Sequence, residues 1–396
     1  MLLRTILGPL SGRLSAMSLR VILGDSVKFG ALAFGALPAA VLADSATASA
    51  TAPASPAAQA ALTGPAGAVT AARLRPAVMA RDAAQSVLLA AAKAGKRVVA
   101  VGERGIILLS DDEGKSWRQA AAPVSVTLTA VRFADAKNGV AVGHAGVILT
   151  SADGGATWQS VMDGQRIATI ALTAARAGTD AAAIGDAERL VADGADKPLL
   201  DVCLLGAGRM LAVGAYGLAF ASGDGGRTWT SWMDRIDNPK GLHLNTVRRR
   251  GDTILIGGER GLALLSTDGG RSFKHLVVPY QGSFFSAELA GDGTFVLAGL
   301  RGNVWRSADA GATWRQLASP MPVTITASTA RADGSLLFAN QAGVLLTARQ
   351  DALVPLAGAP LAPLNGVLAL GDGKLLALSA RGVSVVTAGQ TTGSRP

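Results

Sequence analysis

Val98-Val99-Ala100-Val101-Gly102-Glu103-Arg104-Gly105-Ile106-Ile107-Leu108-Leu109 runs directly into Ser110-Asp111-Asp112-Glu113-Gly114-Lys115-Ser116-Trp117. Two short apolar runs flank a Gly-x-x-Gly corner, and a Ser-x-Asp-x-Gly-x-Ser-Trp box closes the unit. Apolar runs this short, divided by glycine and aspartate turns, read as antiparallel strands. The pattern returns from Val140 to Trp158, from Leu211 to Trp229, from Ile254 to Phe273 and from Val296 to Trp314. Two weaker copies, Leu336–Leu346 and Leu375–Gly382, keep only the second glycine and have no box.

The second glycines are Gly105, Gly146, Gly217, Gly261, Gly302, Gly343 and Gly382, separated by 41, 71, 44, 41, 41 and 39 residues. Four strands fit in such a unit. In the second copy they are expected at Leu128–Phe133, Gly139–Gly143, Val147–Ser151 and Thr157–Val161. Units of this size match propeller blades. The expected fold is therefore all-β: a seven-bladed β-propeller of four-stranded antiparallel blades over residues 74–390.

The long gap holds an insertion. Ile167, Ile170, Ala171 and Ala174 fall at helical spacing, as do Ile184, Ala187, Leu190 and Val191. Residues 166–193 are expected to form one or two helices against the propeller; a degenerate eighth blade is the other reading. The last unit ends near Val386 with three strands, and a ring needs closure to avoid an open edge. Arg75–Ala80 is expected to supply its fourth strand.

The box residues have mechanical roles. Asp112, Asp153, Asp224, Asp268 and Asp309 can accept backbone N–H groups within their own turns. The glycine two residues on permits positive φ. Trp117, Trp158, Trp229, Phe273 and Trp314 begin the next strand and pack between blades.

Composition narrows the function. The 396 residues are 49% hydrophobic and 16% charged, too apolar for a disordered chain. Cys203 is the single cysteine, so no internal disulfide or Cys/His metal cluster is expected, and no cofactor. It reads as a buried structural thiol. The net charge of +9 comes without any run of five basic residues, the longest being Arg248-Arg249-Arg250, which argues for a solvated surface and against a nucleic-acid partner. Residues 1–43 read as an export signal: Arg4, Arg13, Arg20 and Lys28, the apolar run Phe29–Leu37, then cleavage after Ala43. Removing it takes four of the 37 basic and one of the 28 acidic residues, leaving about +6. Residues 44–73 read as a disordered Ala/Pro/Ser/Thr-rich linker and 391–396 as a disordered tail. The expected location is the periplasm.

Ser151-Ala152-Asp153-Gly154-Gly155-Ala156-Thr157-Trp158 resembles the Asp-box of bacterial neuraminidase-type repeats. With Val101-Gly102-Glu103-Arg104-Gly105 leading into the box, the whole unit is similar to the photosystem II stability/assembly factor family, over roughly residues 75–386. The resemblance implies a seven-bladed, non-catalytic helper in assembling a membrane complex, with an arginine-rich patch in phototroph members. The implied partner is a membrane protein or membrane protein complex on the exported side, bound by a monomer. The boxless blades and the insertion depart from the family pattern.

In a propeller the Gly-x-x-Gly corners share one face with the loops joining consecutive blades. Glu103, Arg104, His144, Tyr216, Glu259, Arg260, Arg301, Gln341 and Arg381 are therefore expected around one mouth, which the arginines make positive. The loop Trp232–His243 adds Trp232, Arg235, Asn238 and His243, and Pro279–Phe285 adds Tyr280, Phe284 and Phe285. Aromatic residues plus arginine are the composition of interface anchors. The alternative is a glycan-binding or glycoside-hydrolysing, sialidase-like Asp-box propeller, a hydrolase using Tyr216 with Glu259, or Glu103 with Glu259. All three lie in equivalent repeat corners, so symmetry accounts for them and no catalytic residue is assigned. His275 is expected away from this mouth.

Overall fold

The structure, a computed structural model, describes residues 72–331 and 333–387. The expected export signal (1–43), nearly all of the linker and the tail lie outside the described residues.

Blade 1 comprises β1 (Leu88–Ala94), β2 (Arg97–Gly102), β3 (Ile107–Ser110) and β4 (Arg118–Ala120). Blade 2 comprises β5 (Leu128–Phe133), β6 (Gly139–Gly143), β7 (Ile148–Ser151) and β8 (Gln159–Met162). Blade 3 comprises β9 (Leu199–Gly206), β10 (Arg209–Gly214), β11 (Ala219–Ser222) and β12 (Thr230–Ser231). Blade 4 comprises β13 (Leu244–Arg250), β14 (Thr253–Gly258), β15 (Ala263–Ser266) and β16 (Lys274–His275). Blade 5 comprises β17 (Phe284–Leu289), β18 (Phe295–Gly299), β19 (Val304–Ser307) and β20 (Arg315–Leu317). Blade 6 comprises β21 (Ile325–Ala330), β22 (Leu336–Asn340), β23 (Leu345–Arg349) and β24 (Ala352–Pro355). Blade 7 has, among the described residues, three strands, β25 (Leu364–Ala369), β26 (Lys374–Ser379) and β27 (Gly382–Thr387). Every blade is an antiparallel meander, and the seven-bladed expectation holds.

Seven apolar cores fill the seven gaps between blades. Val99, Leu109, Val131 and Leu149 lie between blades 1 and 2, and Val98 and Leu108 meet Leu376 and Leu378 between blades 7 and 1. The closing gap is thus filled like the others. Each fully buried Val or Leu contributes about 1.5–3 kcal/mol. Hydrogen bonds from one position of the inner strand join neighbouring blades: Thr129 Oγ1 donates to the Leu199 carbonyl at 2.8 Å, Asn245 Nδ2 to Phe284 at 2.9 Å, and Thr326 Oγ1 to Leu364 at 2.8 Å. Asn365 Nδ2 donates to the Leu88 carbonyl at 3.1 Å, which completes the circle.

The predicted fourth strand of blade 7 does not form from Arg75–Ala80. Those residues run beside the outer strand of blade 1: Ala77 N–H donates to the Ala122 carbonyl at 3.0 Å, and Gln119 Nε2 to the Val78 carbonyl at 2.9 Å. Ala72 and Ala77 pack on the core between blades 1 and 2, which draws the segment there. Arg73, placed in the linker by composition, is buried and pairs with Asp163 at 2.5 Å. The chain then reaches blade 7 at Ala84, whose carbonyl oxygen lies 2.1 Å from where a Cβ on Gly382 would be. The residues before β1 thus close the ring as a connection, not as a strand.

The insertion forms two helices, α1 (Gly164–Ala177) and α2 (Ala181–Asp193). Asp163 caps the first, accepting the Arg166 N–H at 3.0 Å, and Asp180 caps the second. Ile167, Ala168, Ala171, Ala187 and Leu190 bury their side chains in the core between blades 2 and 3. The helical reading of the insertion is therefore the correct one.

The boxes behave as the sequence predicts. Asp112 Oδ1 accepts the Ser116 N–H at 2.9 Å and its Oδ2 accepts Ser116 Oγ at 2.6 Å; Asp153, Asp224, Asp268 and Asp309 repeat the pair of bonds. Trp117, Trp158 and Trp229 each donate to the carbonyl of the box glycine while filling a gap between blades. Phe273 and Trp314 pack against the cores between blades 3 and 4 and blades 4 and 5. Hydroxyl and backbone donors hold the Asp112, Asp224 and Asp309 carboxyls at about 2.

A buried ionic chain crosses the inner strands. Asp201 on β9 accepts Arg132 from β5 at 2.8 Å and Arg248 from β13 at 2.5 Å. Burial works to raise the Asp201 carboxyl, but the two guanidinium groups outweigh it and hold the carboxyl below its ordinary value. Arg248 also approaches Glu288 on β17 at 3.9 Å, and Glu288 accepts Ser328 from β21 at 2.8 Å. Cys203 is buried beside this chain, and burial first, then Asp201, pushes its thiol up to about 12.

Two outcomes follow from these contacts. Asp201→Ala leaves Arg132 and Arg248 without their shared anion and is expected to cost about 3–5 kcal/mol, read from guanidinium unfolding; a loss under about 1 kcal/mol would show the chain to be ornamental. The box carboxyls lie below their unfolded value of about 3.9, so their contribution is complete above about pH 4 and lost as pH falls toward 2. An Asp112→Asn/Asp224→Asn/Asp309→Asn variant is expected to have a lower urea midpoint than the native chain at pH 5, with the gap closing by pH 2; a gap independent of pH would refute this assignment.

Candidate functional site

One interaction repeats at every corner of the mouth. The residue after the first corner glycine donates its N–H to the carbonyl just before the inner strand of its own blade. The bonds are Glu103 to Val87 at 3.0 Å, His144 to Thr127 at 2.9 Å, Ala215 to Pro198 at 3.0 Å, Glu259 to His243 at 3.1 Å and Leu300 to Ser283 at 3.1 Å. Gln341 to Thr324 and Ala380 to Pro363 complete the seven. The glycine admits the carbonyl: a Cβ on Gly299 would lie 1.9 Å from the Ser283 oxygen, and one on Gly102 2.0 Å from that of Val87. Corners and interblade connections are thereby held on one face, as expected from the repeat.

The next residue is left-handed in five corners: Arg104 (φ 54°), Ala145 (φ 56°), Tyr216 (φ 56°), Arg260 (φ 53°) and Arg301 (φ 56°). Each such non-glycine residue stores about 1–3 kcal/mol of strain. Ala145 is buried in the core between blades 1 and 2, so His144 is the exposed residue of the blade 2 corner. Desolvation lowers the His144 imidazole below its ordinary value, although part of the side chain stays exposed. Arg104, Arg260 and Arg301 are exposed, and among the described residues their side chains make no hydrogen bond or ion pair. Arg381 is also exposed and unpaired, but blade 7 turns through a two-residue hairpin, Ser379↔Gly382, with positive φ only at Gly382.

The mouth around blades 3 to 5 combines these cations with apolar surface. Tyr216 is 56% exposed and packs edge-on against His243 at 4.9 Å. His243 Nδ1 accepts the Tyr216 N–H at 3.1 Å. Lys197, which the sequence reading missed, lies 5.2 Å over the Tyr216 ring. Burial opposes its charge, but Asp196 and Asp193 outweigh that and raise its pKa. Leu300, also missed, is exposed in the corner slot that Glu103 and Glu259 fill elsewhere, and Phe285 is exposed on β17. Tyr280 donates to the Leu300 carbonyl at 3.1 Å, and burial raises its phenol against the pull of Arg301.

Several expected contact residues do other work. Phe284 is fully buried in the core between blades 4 and 5, because the first residue of an inner strand points inward. Glu103 accepts the Val87 N–H at 3.2 Å and Glu259 the His243 N–H at 2.9 Å, so both carboxylates fasten inner strands. Asn238 closes its own loop, accepting the Leu242 N–H and donating to the Leu242 carbonyl. Trp232 turns toward the blade 4 box, beside Gly270, with Arg235 stacked on it at 4.3 Å and bonded to the Gly270 carbonyl at 3.1 Å. His275 reaches the Trp232–His243 loop instead of lying apart, its Nε2 2.7 Å from the Asp237 carbonyl oxygen. Its strand pairs with the first residues of β15 (Leu264↔His275), which carries it toward the mouth end of the blade.

Among solved structures, a complex described as YCF48 bound to D1 peptide matches with a TM-score of 0.57 and 14% identity, over 78% of this chain and 95% of that one. YCF48 from Cyanidioschyzon merolae matches with a TM-score of 0.57 and 16% identity, over 78% and 98%. A GH74 xyloglucanase from Xanthomonas campestris matches with a TM-score of 0.56 and 13% identity, over 81% of this chain and 54% of the enzyme. At these identities the likeness establishes the fold, which therefore also occurs in glycoside hydrolases. Curated protein sequences give no match. The sequence profile of the family described as photosynthesis system II assembly factor YCF48 matches residues 187–387, just over half of the 396-residue chain, and the chain belongs to that family.

Proposed function

We propose that this protein is a non-catalytic, exported binding propeller that helps assemble or stabilise a membrane protein complex. Its mouth face would hold an extended exported segment of a membrane protein. The observation that carries this reading is that Arg104, Arg260 and Arg301 stand exposed, left-handed and, among the described residues, unpaired on one face. A strained corner would be relieved by glycine, so an arginine there has a use outside the fold. Tyr216, Phe285 and Leu300 supply apolar contact beside the charges. The peptide bound by a YCF48 relative supports the ligand class. Carboxylate-bearing segments fit best, because a guanidinium binds a carboxylate with two parallel hydrogen bonds.

The glycoside-hydrolase reading is favoured by the GH74 enzymes among the structural neighbours. Against it, Glu103 and Glu259 are each engaged by a backbone N–H, and the box aspartates are engaged within their own turns.

The test is a glycine double variant, Arg260→Gly/Arg301→Gly. It is expected to leave the melting temperature unchanged or higher while weakening binding of fluorescent acidic peptides about tenfold or more, roughly 1.4 kcal/mol. Binding of the native chain should fall steeply with salt. Equal binding by variant and native chain, or a lowered melting temperature, would count against the mouth. Release of sugar from xyloglucan or sialosides, lost in Glu259→Gln, would replace this reading with the enzymatic one.

A further inference from the structure

His243 stands where the corners of blades 3 and 4 meet. Its backbone is tied twice to its own blade: the Glu259 N–H donates to its carbonyl at 3.1 Å, and Glu259 Oε2 accepts its N–H at 2.9 Å. Its ring reaches the other blade. His243 Nδ1 accepts the Tyr216 N–H at 3.1 Å, and the ring meets the Tyr216 ring edge-on at 4.9 Å. A backbone N–H only donates, so Nδ1 is unprotonated and the neutral imidazole carries its proton on Nε2. The repeat does not demand this bond. Val87, Thr127, Pro198, Ser283, Thr324 and Pro363 hold the same place in the other blades. Among the described residues none of their side chains accepts a corner N–H, so the His243 ring is an addition to the repeat.

The same nitrogen lies 3.5 Å from Glu259 Oε2. It is thus set between a donor and an acceptor, and its protonation selects one of them. Neutral, it accepts from Tyr216. Protonated, it can only donate, so the Tyr216 bond is lost and the nearby Glu259 carboxylate gains a charged partner. The other charged groups around the pair leave this choice in place. Lys197 lies 5.2 Å over the Tyr216 ring and is neutralised by Asp196 at 2.7 Å and Asp193 at 3.1 Å. Arg260, next to Glu259, opposes a second cation there, and the closer Glu259 carboxylate favours it. Asp237, in the loop that leads to His243, pairs with His275 at 3.4 Å. His275 Nε2 also lies 2.7 Å from the Asp237 carbonyl oxygen, a contact that a protonated ring keeps as donor. Acidification therefore breaks one histidine contact of this loop and spares the other.

We infer that His243 is a positioning residue, which holds Tyr216 in place at the mouth while neutral and releases it on protonation, so that the mouth changes over the range in which histidine titrates. Tyr216 is 56% exposed and held at φ 56°, a strained conformation that persists only while its surroundings fix it. Losing the acceptor removes one such restraint. Protonation also adds a positive charge beside Arg260, so acidic segments are held more tightly at low pH. The exchange of bonds stands on contacts within the chain; its effect on a ligand rests on the mouth being the binding face, as proposed above.

The chain has two tyrosines, Tyr216 and Tyr280, so isotopic labelling of tyrosine nitrogen in the full chain gives two backbone amide signals by NMR. Between about pH 8 and about pH 5 the Tyr216 signal is expected to move with one inflection. Tyr280, whose N–H donates to the Val278 carbonyl at 2.7 Å, serves as the fixed reference. His243→Asn puts an amide oxygen in the place of Nδ1 and should keep the Tyr216 signal near its native high-pH position throughout. His275→Gln should leave the titration intact. A native Tyr216 signal that does not move, one that still moves in His243→Asn, or a titration lost in His275→Gln would each overturn the inference. Fluorescent acidic peptides give the second readout, in a His144→Gln background that removes another titrating residue of the mouth. Binding should tighten about threefold from about pH 8 to about pH 5.5, the effect of one added charge several ångströms away in water, and His243→Asn should abolish that gain. Equal binding at both pH values would overturn the inference even with a moving Tyr216 signal. A moving signal without peptide binding at either pH would instead sink the mouth reading and uphold the exchange of bonds.

Discussion

A single backbone hydrogen bond, made once per blade, carries the architecture of the mouth. It joins the corner between the second and third strands to the carbonyl that precedes the inner strand. Because that carbonyl ends the interblade connection, the bond ties corner and connection together. In five blades it is made over a glycine: with the oxygen 1.9–2.4 Å from the place of a Cβ, Gly102, Gly143, Gly214, Gly258 and Gly299 have no room for a side chain. Their φ values are extended, so close approach, not backbone freedom, explains these glycines. In blades 6 and 7 Asn340 and Ser379 take this place, and their side chains satisfy the turn directly: Asn340 Oδ1 accepts the Val344 N–H at 2.9 Å and Ser379 Oγ the Arg381 N–H at 3.0 Å.

Much of this was legible because it is periodic. Repeated close approaches demand repeated glycines, and a carboxylate that must collect several N–H groups recurs as the box aspartate. Even the helical insertion announced itself through a change of period. What the sequence hid was direction. Trp232 and Phe284 look like loop aromatics, yet one turns to the neighbouring box and the other into the core. Glu103 and Glu259 look available, yet each fastens an inner strand. Position in a repeat tells which corner a residue occupies; only the packing tells whether its side chain points outward. The fourth strand of blade 7 was misplaced for a related reason, since the need for closure is general but the choice of what closes the ring depends on local burial of Ala72, Ala77 and Ala83.

The left-handed corner residues show how rigidity and function share one position. Strain of about 1–3 kcal/mol persists only where the surroundings over-determine the backbone, and here the carbonyl bond and the following glycine do so. The side chains of Arg104, Arg260 and Arg301 are therefore aimed by the backbone, without a hydrogen bond or ion pair of their own among the described residues. Inner-strand ion pairs support the same rigidity from below: Arg132, Asp201, Arg248 and Glu288 link four consecutive blades through alternating charge. For the binding proposed above, a ring locked at its centre and at its corners would spend little affinity on ordering the scaffold.

Equivalent corners do not make an equivalent surface, and the difference lies in what covers them. Ala145 in blade 2 is buried in the core between blades 1 and 2, and the segment Ala72–Gln85 lies along blade 1 and reaches blade 7. Blades 3, 4 and 5 keep their corners open, with Tyr216, Arg260, Leu300 and Arg301 in succession and Phe285 beside them. Symmetry thus builds seven similar corners, while their exposed residues differ from blade to blade, with Arg104, His144, Gln341 and Arg381 exposed at the other four. A ligand meeting a seven-fold ring would have seven registers to choose among; an arc with an apolar and cationic sequence of its own offers one. If the mouth binds as proposed, specificity would reside as much in the residues that break the repeat as in those that make it.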